Sequence, residues 1–600
     1  MRDWRRQAAM VALLGAVVLA AYGRALTRGW TSEDFLLLRL LRQDPPWHDL
    51  LAKLASPWLG LQIFKFYRPV STLLFGMEEA LFGTAPWGYN LVHILVHAGN
   101  ACLVWAIARQ IAGPDKRSAV FSLIAALLFA IYPLHPNAVI FAASFATIFA
   151  TTFLLGAFLC HQLAGARQSW IWSSASLVLL ALALGSYEAA AILPCLFIAH
   201  DLLFEPDQPL RVRAASWLPA LLLLALYFLL RLHLFGVFLG GYEETGRRLL
   251  VPQLRQLSKD LAESLLRLHI PVFGSPVTLA VEVGFLGVVF LLPILYLGAS
   301  AGRRRFLRGW LLAWIWMILA LAPFAFRPVV PGNGRYWYLA AVGTALGVAF
   351  LAQAFWESWT APWRFLPLLT VLALGGWWAV LLTGEVTVYI EAGRTAERIA
   401  AQLRETVNAP GGAPIFVAGC PAFLETPVGV PVAAVFHYGL SDAVEPPFAP
   451  GGAPVYPLPP LDAEELPPLI NGRPGARIYE WEPGSEKLRQ VLLAPSASPE
   501  EIEILDPVDH ARMPPRALSV HFRPAAGKVF RLILLGRGNP TTFEFSPVLT
   551  ADGLARADLP GSFVQAMDHL YGGDLYWWIE GRDETGRRLF SRMRSFRLLS

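Results

Sequence analysis

Apolar residues are concentrated in the first two thirds of the chain. Runs of about 18 or more apolar residues, long enough for a helix to cross a bilayer, recur between residues 1 and 385. Residues 386–600 are instead rich in proline, glycine and charge. The pattern predicts a polytopic all-α membrane protein with a soluble C-terminal region. The candidate transmembrane helices number about eleven and lie near residues 8–26, 89–112, 118–134, 138–162, 170–185, 188–204, 214–234, 277–299, 307–326, 336–355 and 364–384.

The soluble region shows two kinds of periodicity. Residues 391–409 carry apolar side chains at helical spacing, which predicts an amphipathic helix, and residues 413–419 are typical of a buried strand. From about residue 515, short alternating segments separated by turn residues predict a small β-sandwich of the immunoglobulin or fibronectin kind. The expected domains are a transmembrane domain at 1–385, an extracytoplasmic α/β and Pro/Gly-rich linker region at 386–510, and the β-sandwich at 511–600.

The composition agrees with a membrane protein. Hydrophobic residues make up 55% of the chain and charged residues only 16%, with a mean hydropathy of +0.48, whereas soluble domains are about 25% charged. The net charge of +5 is modest, and the arginines are grouped in short loops. This grouping is typical of residues that orient a membrane protein and not of a nucleic-acid-binding surface, so no nucleic-acid partner is expected. The four cysteines have no metal-binding spacing. The N-terminus is basic and then apolar, like a signal peptide, but no convincing cleavage site follows the apolar run. We therefore expect it to remain as an uncleaved first membrane helix.

Basic residues mark one side of the predicted bundle. They cluster at residues 2–6, 109–117, 211–213 and 303–308, which all fall on the same side under an eleven-helix count. Because such loops remain in the cytoplasm, we expect a cytoplasmic N-terminus and an extracytoplasmic C-terminal region. The bias towards Ala, Leu, Arg and Trp is typical of a high-GC bacterium, hence a multi-pass protein of the cell inner (plasma) membrane. The polar segments that interrupt the apolar pattern then gather on the outer face, where we expect a site.

The first polar segment contains two adjacent carboxylates, Glu33 and Asp34. The apolar residues that follow, beginning with Phe35, would partly desolvate a carboxylate, raise its pKa and make it a better general base near neutral pH. A solvated acid pair before an amphipathic helix is the alternative. Arg68 lies where the chain re-enters apolar sequence. Its planar guanidinium suits a lipid phosphate, and an interfacial arginine with no ligand is the alternative.

Histidines interrupt the apolar pattern at two further places. His93 and His97 are four residues apart, as metal ligands can be, but they lack the acidic partner of an HExxH motif. Hydrogen bonds between helices are the favoured interpretation. His135 lies in a Pro-rich turn between two predicted helices.

Charged residues also lie at the ends of later helices. Glu188 stands between two apolar runs, where an ionisable group indicates either a function or a structural pairing with arginine. Arg327 and Arg335 lie at the outer ends of the ninth and tenth predicted helices.

The order of these segments resembles the GT-C glycosyltransferases, especially the branch with protein O-mannosyltransferases and TMTC-type proteins. The matching motifs are the acidic pair, YRPVSTLLF, GYNLVHILVHAGNACL, ALLFAIYPLHPNAV, LGSYEAAAILP with HDLLF, and a late PxxxRYWYL. The resemblance covers residues 1–385 and implies a GT-C-like transmembrane domain. It also implies a sugar donor on a polyprenyl phosphate, held by basic residues, and an acid that activates the acceptor hydroxyl. The matching positions are Asp34 and Glu33 for catalysis, and Arg68, His97, His135, Glu188, Arg335 and Tyr338 for the donor phosphate and sugar.

The chain departs from the family pattern at four positions, the first of which is Tyr132, where related sequences have a histidine. Asn137 stands where related sequences have an acid, Phe145 where they have an arginine, and Tyr187 where they have a lysine. The tetratricopeptide repeats found in part of the family are also missing from the C-terminal region. These departures leave open a member of the family that has lost or changed its activity.

The resemblance and the residues together favour an inverting transfer on the outer face, with Asp34 as the general base and Glu33 assisting. Arg68 and Arg335 would neutralise the leaving phosphate, and Glu188 would orient one of them or bind sugar hydroxyls. The expected partners are the lipid-linked donor, membrane lipid, and a protein, lipid or glycan acceptor. The sequence requires no cofactor, although the outer acids offer ligands to a divalent metal. A non-catalytic membrane scaffold or glycan- or partner-binding protein derived from the same fold is the alternative, and a transporter is disfavoured because no inverted repeat is visible.

Overall fold

The part of the chain that the structure describes is mainly helical up to residue 407 and mostly strand or loop after it. The computed structural model describes residues 2–47, 49, 55–60, 65–113, 115–167, 169–236, 238, 256–261, 276–298, 303–326, 334–407, 412–426, 431–459, 476–491, 502–509, 511–513, 518–523, 530–536, 541–545, 548–549, 554–559, 574–582 and 587–598. Arg327 lies outside these residues.

The helices follow the apolar runs of the sequence. In chain order they are α1 (Arg2–Tyr22), α2 (Glu33–Gln43), α3 (Pro69–Phe82), α4 (Pro86–Ala112), α5 (Lys116–Ala130), α6 (Pro136–Val139), α7 (Phe145–Arg167), α8 (Trp170–Leu184), α9 (Leu193–Phe204), α10 (Leu210–Phe235), α11 (Pro276–Gly298), α12 (Arg304–Leu321), α13 (Ala340–Ser358) and α14 (Leu366–Val407). Short 3₁₀ turns at Ala142–Ser144, Glu188–Ile192 and Gly334–Trp337 precede α7, α9 and α13.

Seven helical segments in the described residues are long and apolar enough to cross a membrane. They are Trp4–Thr27, Pro86–Ala112, Ala142–Arg167, Leu210–Phe235, Arg304–Ala325, Ala340–Ser358 and Trp363–Val407. Two apolar helices, Trp170–Leu184 and Leu286–Gly298, are shorter. The expected class, a largely helical membrane part with a β-rich C-terminal region, is confirmed, whereas the expected number of eleven membrane helices is not.

The last helix is longer than the hydropathy pattern predicts. The predicted membrane helix ends at residue 384 and the amphipathic helix begins at 391, yet α14 runs without interruption from Leu366 to Val407. No proline falls between the two segments, so the backbone hydrogen bonds continue although hydropathy drops. The apolar residues of the second segment, including Ala396, Ile399 and Leu403, are fully buried. α14 therefore connects the membrane part to the C-terminal region as one continuous rod.

The described strands all follow α14. They are β1 (Ile415–Ala418), β2 (Phe423–Glu425), β3 (Pro431–Ala434), β4 (Val455–Pro457), β5 (Arg477–Glu482), β6 (Lys487–Val491), β7 (Glu503–Asp506), β8 (Ala511–Met513), β9 (Leu518–Arg523), β10 (Phe530–Leu535), β11 (Thr541–Phe545), β12 (Val548–Leu549), β13 (Ala555–Leu559), β14 (Asp574–Arg582), β15 (Arg588–Phe590) and β16 (Arg594–Leu598).

Most of these strands form two packed units, and β2 pairs with β3 as a separate antiparallel ribbon. The first unit is a sheet of the order β4-β1-β5-β6, in which β1 pairs in parallel with β4 and β5. The second unit has two sheets, β11-β10-β14-β16-β8 with β15 added to β14, and β12-β13-β9-β7.

The aromatic residues of β14 join these two units. Side chains alternate between the faces of a strand, and Trp577 packs into the core between the two sheets of the second unit. Its neighbours Tyr576 and Trp578 point to the opposite face and pack against Phe416 and Tyr456 of the first unit. All three β14 aromatics are buried, so they form core and not a carbohydrate-stacking surface.

The C-terminal region is attached to α2 by a buried ion pair. The Arg39 guanidinium binds the Asp442 carboxylate, and both side chains are almost fully buried. Burial raises the pKa of Asp442, and the Arg39 charge opposes that rise. Glu445 adds a second carboxylate 4.0 Å from Arg39. Because α2 begins at the acidic pair, this contact fixes the C-terminal region beside Glu33 and Asp34.

Asp442→Ala is expected to lower the free energy of unfolding by about 3 kcal/mol, because Arg39 stays buried without its nearest carboxylate. Chemical denaturation of the purified full chain measures the change. The matched control is Glu503→Gln, which breaks an ion pair between two half-exposed side chains, Glu503 and Arg523, and should cost less than about 1 kcal/mol. Equal losses in the two variants would contradict the structural role of the buried pair.

Candidate active site

The acidic pair begins α2, but its two carboxylates have different surroundings. Asp34 is fully buried. Its Oδ2 accepts hydrogen bonds from Arg28 Nη2 (3.0 Å) and the Thr31 backbone (3.1 Å), and its Oδ1 accepts one from the Ala143 backbone (2.7 Å). Burial raises the pKa of Asp34, and Arg28 and the amide donors oppose that rise. Both carboxylate oxygens of Asp34 are therefore engaged in holding the protein's own chain.

Glu33 is the more open of the two carboxylates. It is half-buried and lies close enough to His437 and Tyr438 of the C-terminal region to interact with both electrostatically. Burial lowers the pKa of His437 and raises that of Tyr438, so both side chains are neutral near pH 7. Tyr438 is 38% exposed. Glu33 thus lies at the junction of the membrane part and the C-terminal region, beside His437 and Tyr438.

The backbone around Ser32 fixes this junction. The Ser32 amide donates to the Val435 carbonyl (2.8 Å), and the Tyr438 amide donates to Ser32 Oγ (3.0 Å). Ser32 has a φ of +46°, which few residues other than glycine adopt. A Cβ at Gly439, whose φ is +79°, would lie 2.2 Å from the Ser32 carbonyl oxygen. Only glycine therefore allows the C-terminal region to approach the acidic loop this closely.

Arg68 and Glu188 form a second cluster. Arg68 Nε and Nη2 both donate to Glu188 Oε2, at 3.0 and 2.8 Å. The other oxygen, Oε1, accepts from the Tyr67 backbone at 3.2 Å and lies 3.6 Å from Arg231 Nη1. The Arg68 guanidinium also lies over the rings of Phe66 (4.2 Å), Tyr187 (4.6 Å) and Trp58 (5.1 Å). Glu188 therefore orients Arg68. The same carboxylate also faces Arg231, which is almost fully buried.

Arg335 joins this cluster through Tyr187. Tyr187 interacts electrostatically with both Arg68 and Arg335, and it lines a crevice together with Arg335, Tyr336 and Phe324. The Arg335 amide donates to Asn137 Oδ1 (3.1 Å) and its Nη1 to Ser144 Oγ (3.3 Å). Two positions where the sequence departs from the family pattern, Asn137 and Tyr187, thus contact or face Arg335.

The turn Ala142–Ser144 connects the acidic pair to the basic cluster. The Ala143 backbone binds Asp34, and the next residue, Ser144, binds Arg335. Consecutive Cα atoms are about 3.8 Å apart, so the acidic loop and Arg335 meet at neighbouring positions of one turn. Phe145, the residue after the turn, packs against Trp58 beneath Arg68. Residues about 300 positions apart in sequence therefore surround a single segment.

The remaining residues of the expected donor site form a separate, buried network. His97 Nδ1 lies 2.7 Å from Tyr338 Oη, and its Nε2 lies 3.1 Å from the Ala130 carbonyl. Since a carbonyl only accepts, Nε2 carries the proton and Nδ1 accepts from Tyr338. Asn100 also donates to Tyr338 Oη (3.0 Å), and the His135 ring lies 4.4 Å from the Tyr338 ring. All four side chains are buried at or near 0% exposure, so this network faces other helices.

The hydrogen bonds between helices expected of His93 and His97 are present. His93 pairs with Glu78 of α3, and His97 with the two partners just described. Arg28, Arg231, His437 and Tyr438 were not singled out from the sequence. Arg28 and Arg231 lie in short polar segments at helix ends, which was their only signal. His437 and Tyr438 lie in a Pro/Gly-rich stretch with no distinguishing pattern.

The sequence is similar to protein O-mannosyl-transferases of animals. It is 30% identical to protein O-mannosyl-transferase TMTC3 of Mus musculus over 169 residues, which cover 27% of this chain and 18% of that protein. It is 34% identical to TMTC2 of Homo sapiens over 164 residues, again covering 18% of that protein. The chain therefore spans less than a fifth of the length of these relatives. No family model matches the chain. The resemblance to the TMTC branch that the motif order indicates is confirmed.

Two solved structures have a partly similar arrangement. The ArnT protein of Cupriavidus metallidurans bound to undecaprenyl phosphate has 15% identity and a TM-score of 0.42, covering 79% of this chain and 93% of that one. The archaeal oligosaccharyltransferase AglB of Archaeoglobus fulgidus, in complex with an inhibitory peptide and a dolichol-phosphate, has 12% identity and a TM-score of 0.41. It covers 69% of this chain and 62% of that one.

Proposed function

We propose that this protein is a membrane glycosyltransferase that moves a sugar from a polyprenyl-phosphate donor to an acceptor at the outer face of the inner membrane. The observation that carries the proposal is the turn Ala142–Ser144, which binds the acidic loop at Ala143 and Arg335 at Ser144. Such a meeting of carboxylate and guanidinium groups suits a transfer that removes a proton and releases a phosphate. The similarity to protein O-mannosyl-transferases supports the same class of reaction.

The proposed reaction is a single displacement. The acceptor hydroxyl gives its proton to a carboxylate of the acidic pair, and its oxygen forms a bond to the anomeric carbon of the sugar. The bond between that carbon and the phosphate oxygen breaks at the same time, and the electron pair leaves on the polyprenyl phosphate. Arg68 and Arg335 would stabilise the charge that develops on the phosphate, because a guanidinium binds phosphate oxygens bidentately. Glu188 holds Arg68 in position for this role.

Of the two carboxylates, we propose Glu33 as the base. A general base must lie within hydrogen-bond reach of the proton that it removes. Asp34 is buried and its oxygens bind Arg28, Thr31 and Ala143, whereas Glu33 is half-buried beside the exposed Tyr438. This reverses the assignment that the sequence favours, in which Asp34 is the base and Glu33 assists. In the proposal Asp34 instead fixes the loop that presents Glu33.

The remaining expectations from the sequence complete the proposal. The N-terminus would be cytoplasmic, and the C-terminal region would stand outside the membrane, where Tyr438 reaches the acceptor side of the site. The buried residues His97, His135 and Tyr338 would act indirectly, by supporting α13 and the Gly334–Trp337 turn that carries Arg335. Among the described residues of this site, no three His, Cys, Asp or Glu side chains lie close enough together to hold a metal ion.

Turnover of a lipid-linked sugar tests the function. The purified full chain in liposomes is incubated with radiolabelled polyprenyl-phosphate sugars and with bacterial membrane extract as the acceptor source. Label is expected to move from the organic-soluble donor to the acceptor fraction, and the double variant Glu33→Gln/Asp34→Asn serves as the inactive control. Donor binding without transfer for every sugar would support the non-catalytic scaffold instead, and absence of donor binding would contradict the transferase.

A further inference from the structure

Three side chains of the metal-binding type meet far from the candidate active site. They are His161 on α7 and the adjacent residues His200 and Asp201 on α9. His161 Nε2 and His200 Nδ1 each lie 2.9 Å from Asp201 Oδ1, and the three ligand atoms are all within 4.8 Å of one another. The side chains are at most 10% exposed. Two imidazoles and one carboxylate are thus gathered around one point.

Aromatic residues fix the directions of both imidazoles. The His161 ring stacks on Phe197, with 4.1 Å between centroids and 8° between planes. The His200 ring stacks on Phe204 at 5.2 Å and meets the edge of Phe158 at 5.6 Å. These contacts turn one nitrogen of each ring towards Asp201. A metal site needs its ligands held in this manner before the ion arrives.

The second oxygen of Asp201 is held by an outer set of donors. Oδ2 accepts from Trp217 Nε1 at 2.8 Å and from Ser216 Oγ at 3.4 Å, both on α10. Oδ1 is therefore the oxygen that faces the two histidines. Hydrogen bonds to the non-ligating oxygen of a carboxylate are the usual outer support of a metal ligand.

A polar cavity opens beside the cluster. It has a volume of about 290 Å³ and is lined by His161 and Asp201 together with Glu205, Gln208, Ser169 and Ser173. The Glu205 carboxylate lies over Gly165, one helical turn after His161, where a Cβ would stand 2.6 Å from Glu205 Oε1. The absence of a side chain at Gly165 therefore lets a further carboxylate approach the cluster. The cavity also gives an ion an entry path and leaves room for a water ligand.

We infer that His161, His200 and Asp201 form a binding site for a divalent transition metal of the zinc class, with water or Glu205 as the fourth ligand. Imidazole with carboxylate suits zinc, iron and nickel better than magnesium or calcium, which prefer oxygen ligands alone. Zinc binds such ligands at about 2.0–2.1 Å, so ligand atoms in a tetrahedral site lie about 3.4 Å apart. The two nitrogens would each move about 0.5 Å from Asp201 Oδ1 to reach that spacing.

The inferred site is independent of the proposed transfer site. Sixteen residues of α7 separate Phe145, beside Arg68, from His161, which corresponds to about 24 Å at 1.5 Å per residue. His200 and Asp201 likewise lie beyond the middle of α9, whereas Glu188 precedes that helix. The metal would therefore stabilise the opposite end of the bundle, where α7, α9 and α10 meet, and would take no part in sugar transfer.

Metal titration of the purified full chain tests the inference. After treatment with a chelator, the protein in detergent is titrated with Zn²⁺ by calorimetry and with Co²⁺ by visible absorption. One equivalent of high-affinity Zn²⁺ is expected, with the Co²⁺ ligand-field bands of a site containing imidazole nitrogen. His161→Gln, whose amide can still donate to Asp201, is expected to weaken Zn²⁺ binding by more than about 100-fold, because loss of a ligand should exceed the loss that follows removal of an outer hydrogen-bond partner. His233→Ala removes an exposed histidine of α10 and is the matched control that should bind normally.

Two results would overturn the inference. If the wild type and His161→Gln bind Zn²⁺ equally, the cluster is only a hydrogen-bonded triad around Asp201. If Co²⁺ shows the spectrum of the aqueous ion in the presence of folded protein, no imidazole binds it. Circular dichroism of each variant establishes that it is folded, and a second variant, His200→Gln, gives the same test should His161→Gln misfold.

Discussion

Glu33→Gln is expected to lower the rate of sugar transfer by about 1,000-fold, within the range that a general base contributes. The amide keeps the size and hydrogen-bonding shape of the side chain but cannot take up the acceptor proton. Glu33 makes none of the interactions that hold Asp34 in place, so the folded structure should remain. The measurement is the initial transfer rate of the purified variant in liposomes at saturating donor.

Comparison with the variant Asp34→Asn distinguishes the role of Asp34 from that of Glu33. This variant leaves Arg28, which is 1% exposed, without its charge partner, and is expected to cost about 3 kcal/mol of unfolding free energy. Its activity per folded molecule should fall less than that of Glu33→Gln, because the base is still present on a less firmly held loop. If Asp34→Asn abolishes transfer at unchanged stability while Glu33→Gln stays active, Asp34 is the base and the present assignment is wrong.

Arg335→Met is expected to lower the transfer rate by about 100-fold, the loss that follows removal of one group stabilising transition-state charge. Methionine retains much of the apolar stem of the side chain but lacks the guanidinium, which lies over the Tyr336 ring, and so cannot neutralise a departing phosphate. Because the charge on the phosphate increases as the sugar leaves, kcat should fall more than donor affinity does. Steady-state kinetics over a range of donor concentrations separates the two effects.

The matched control is Arg394→Met on α14. Arg394 is more than half exposed and contacts Glu391 one turn away, so its loss should leave both kcat and the donor KM unchanged. An equal fall in both variants would attribute the effect to the net charge of the protein. An unchanged rate in Arg335→Met would remove Arg335 from the site and leave Arg68 as the group that faces the phosphate.

Two positioning roles in this proposal depend on contacts that Glu188 and Asp34 make within the protein. Each of these acids holds an arginine: Glu188 binds Arg68 with two donors, and Asp34 binds Arg28. Neither acid is thereby free to perform the chemistry directly. The structure supports a division of labour in which buried acids position the loops and the half-buried Glu33 meets the acceptor.

Local sequence patterns predicted the parts of the site but not their relations. The acidic pair at a helix start, the arginine before Pro69 and the glutamate between two apolar runs are all visible in the sequence. The partner of each arginine is not visible in the sequence. The Arg68–Glu188 and Arg335–Ser144 contacts join residues that are 120 and 191 positions apart. The cluster of His161 with Asp201 was missed for the same reason, although His200 and Asp201 lie in the quoted motif HDLLF.

The sequence by itself determined the division into an apolar helical part and a β-rich C-terminal region, because hydropathy and side-chain periodicity are local properties of the chain. It also indicated the family resemblance through the order of its motifs. Only the tertiary structure decided that Asp34 is buried and Glu33 half-open, since the exposure of each depends on Arg28, Ala143 and the residues near Tyr438, up to 406 positions away. Two neighbouring carboxylates of nearly equal chemistry acquire different surroundings because the packed chain desolvates Asp34 fully and leaves Glu33 half-buried.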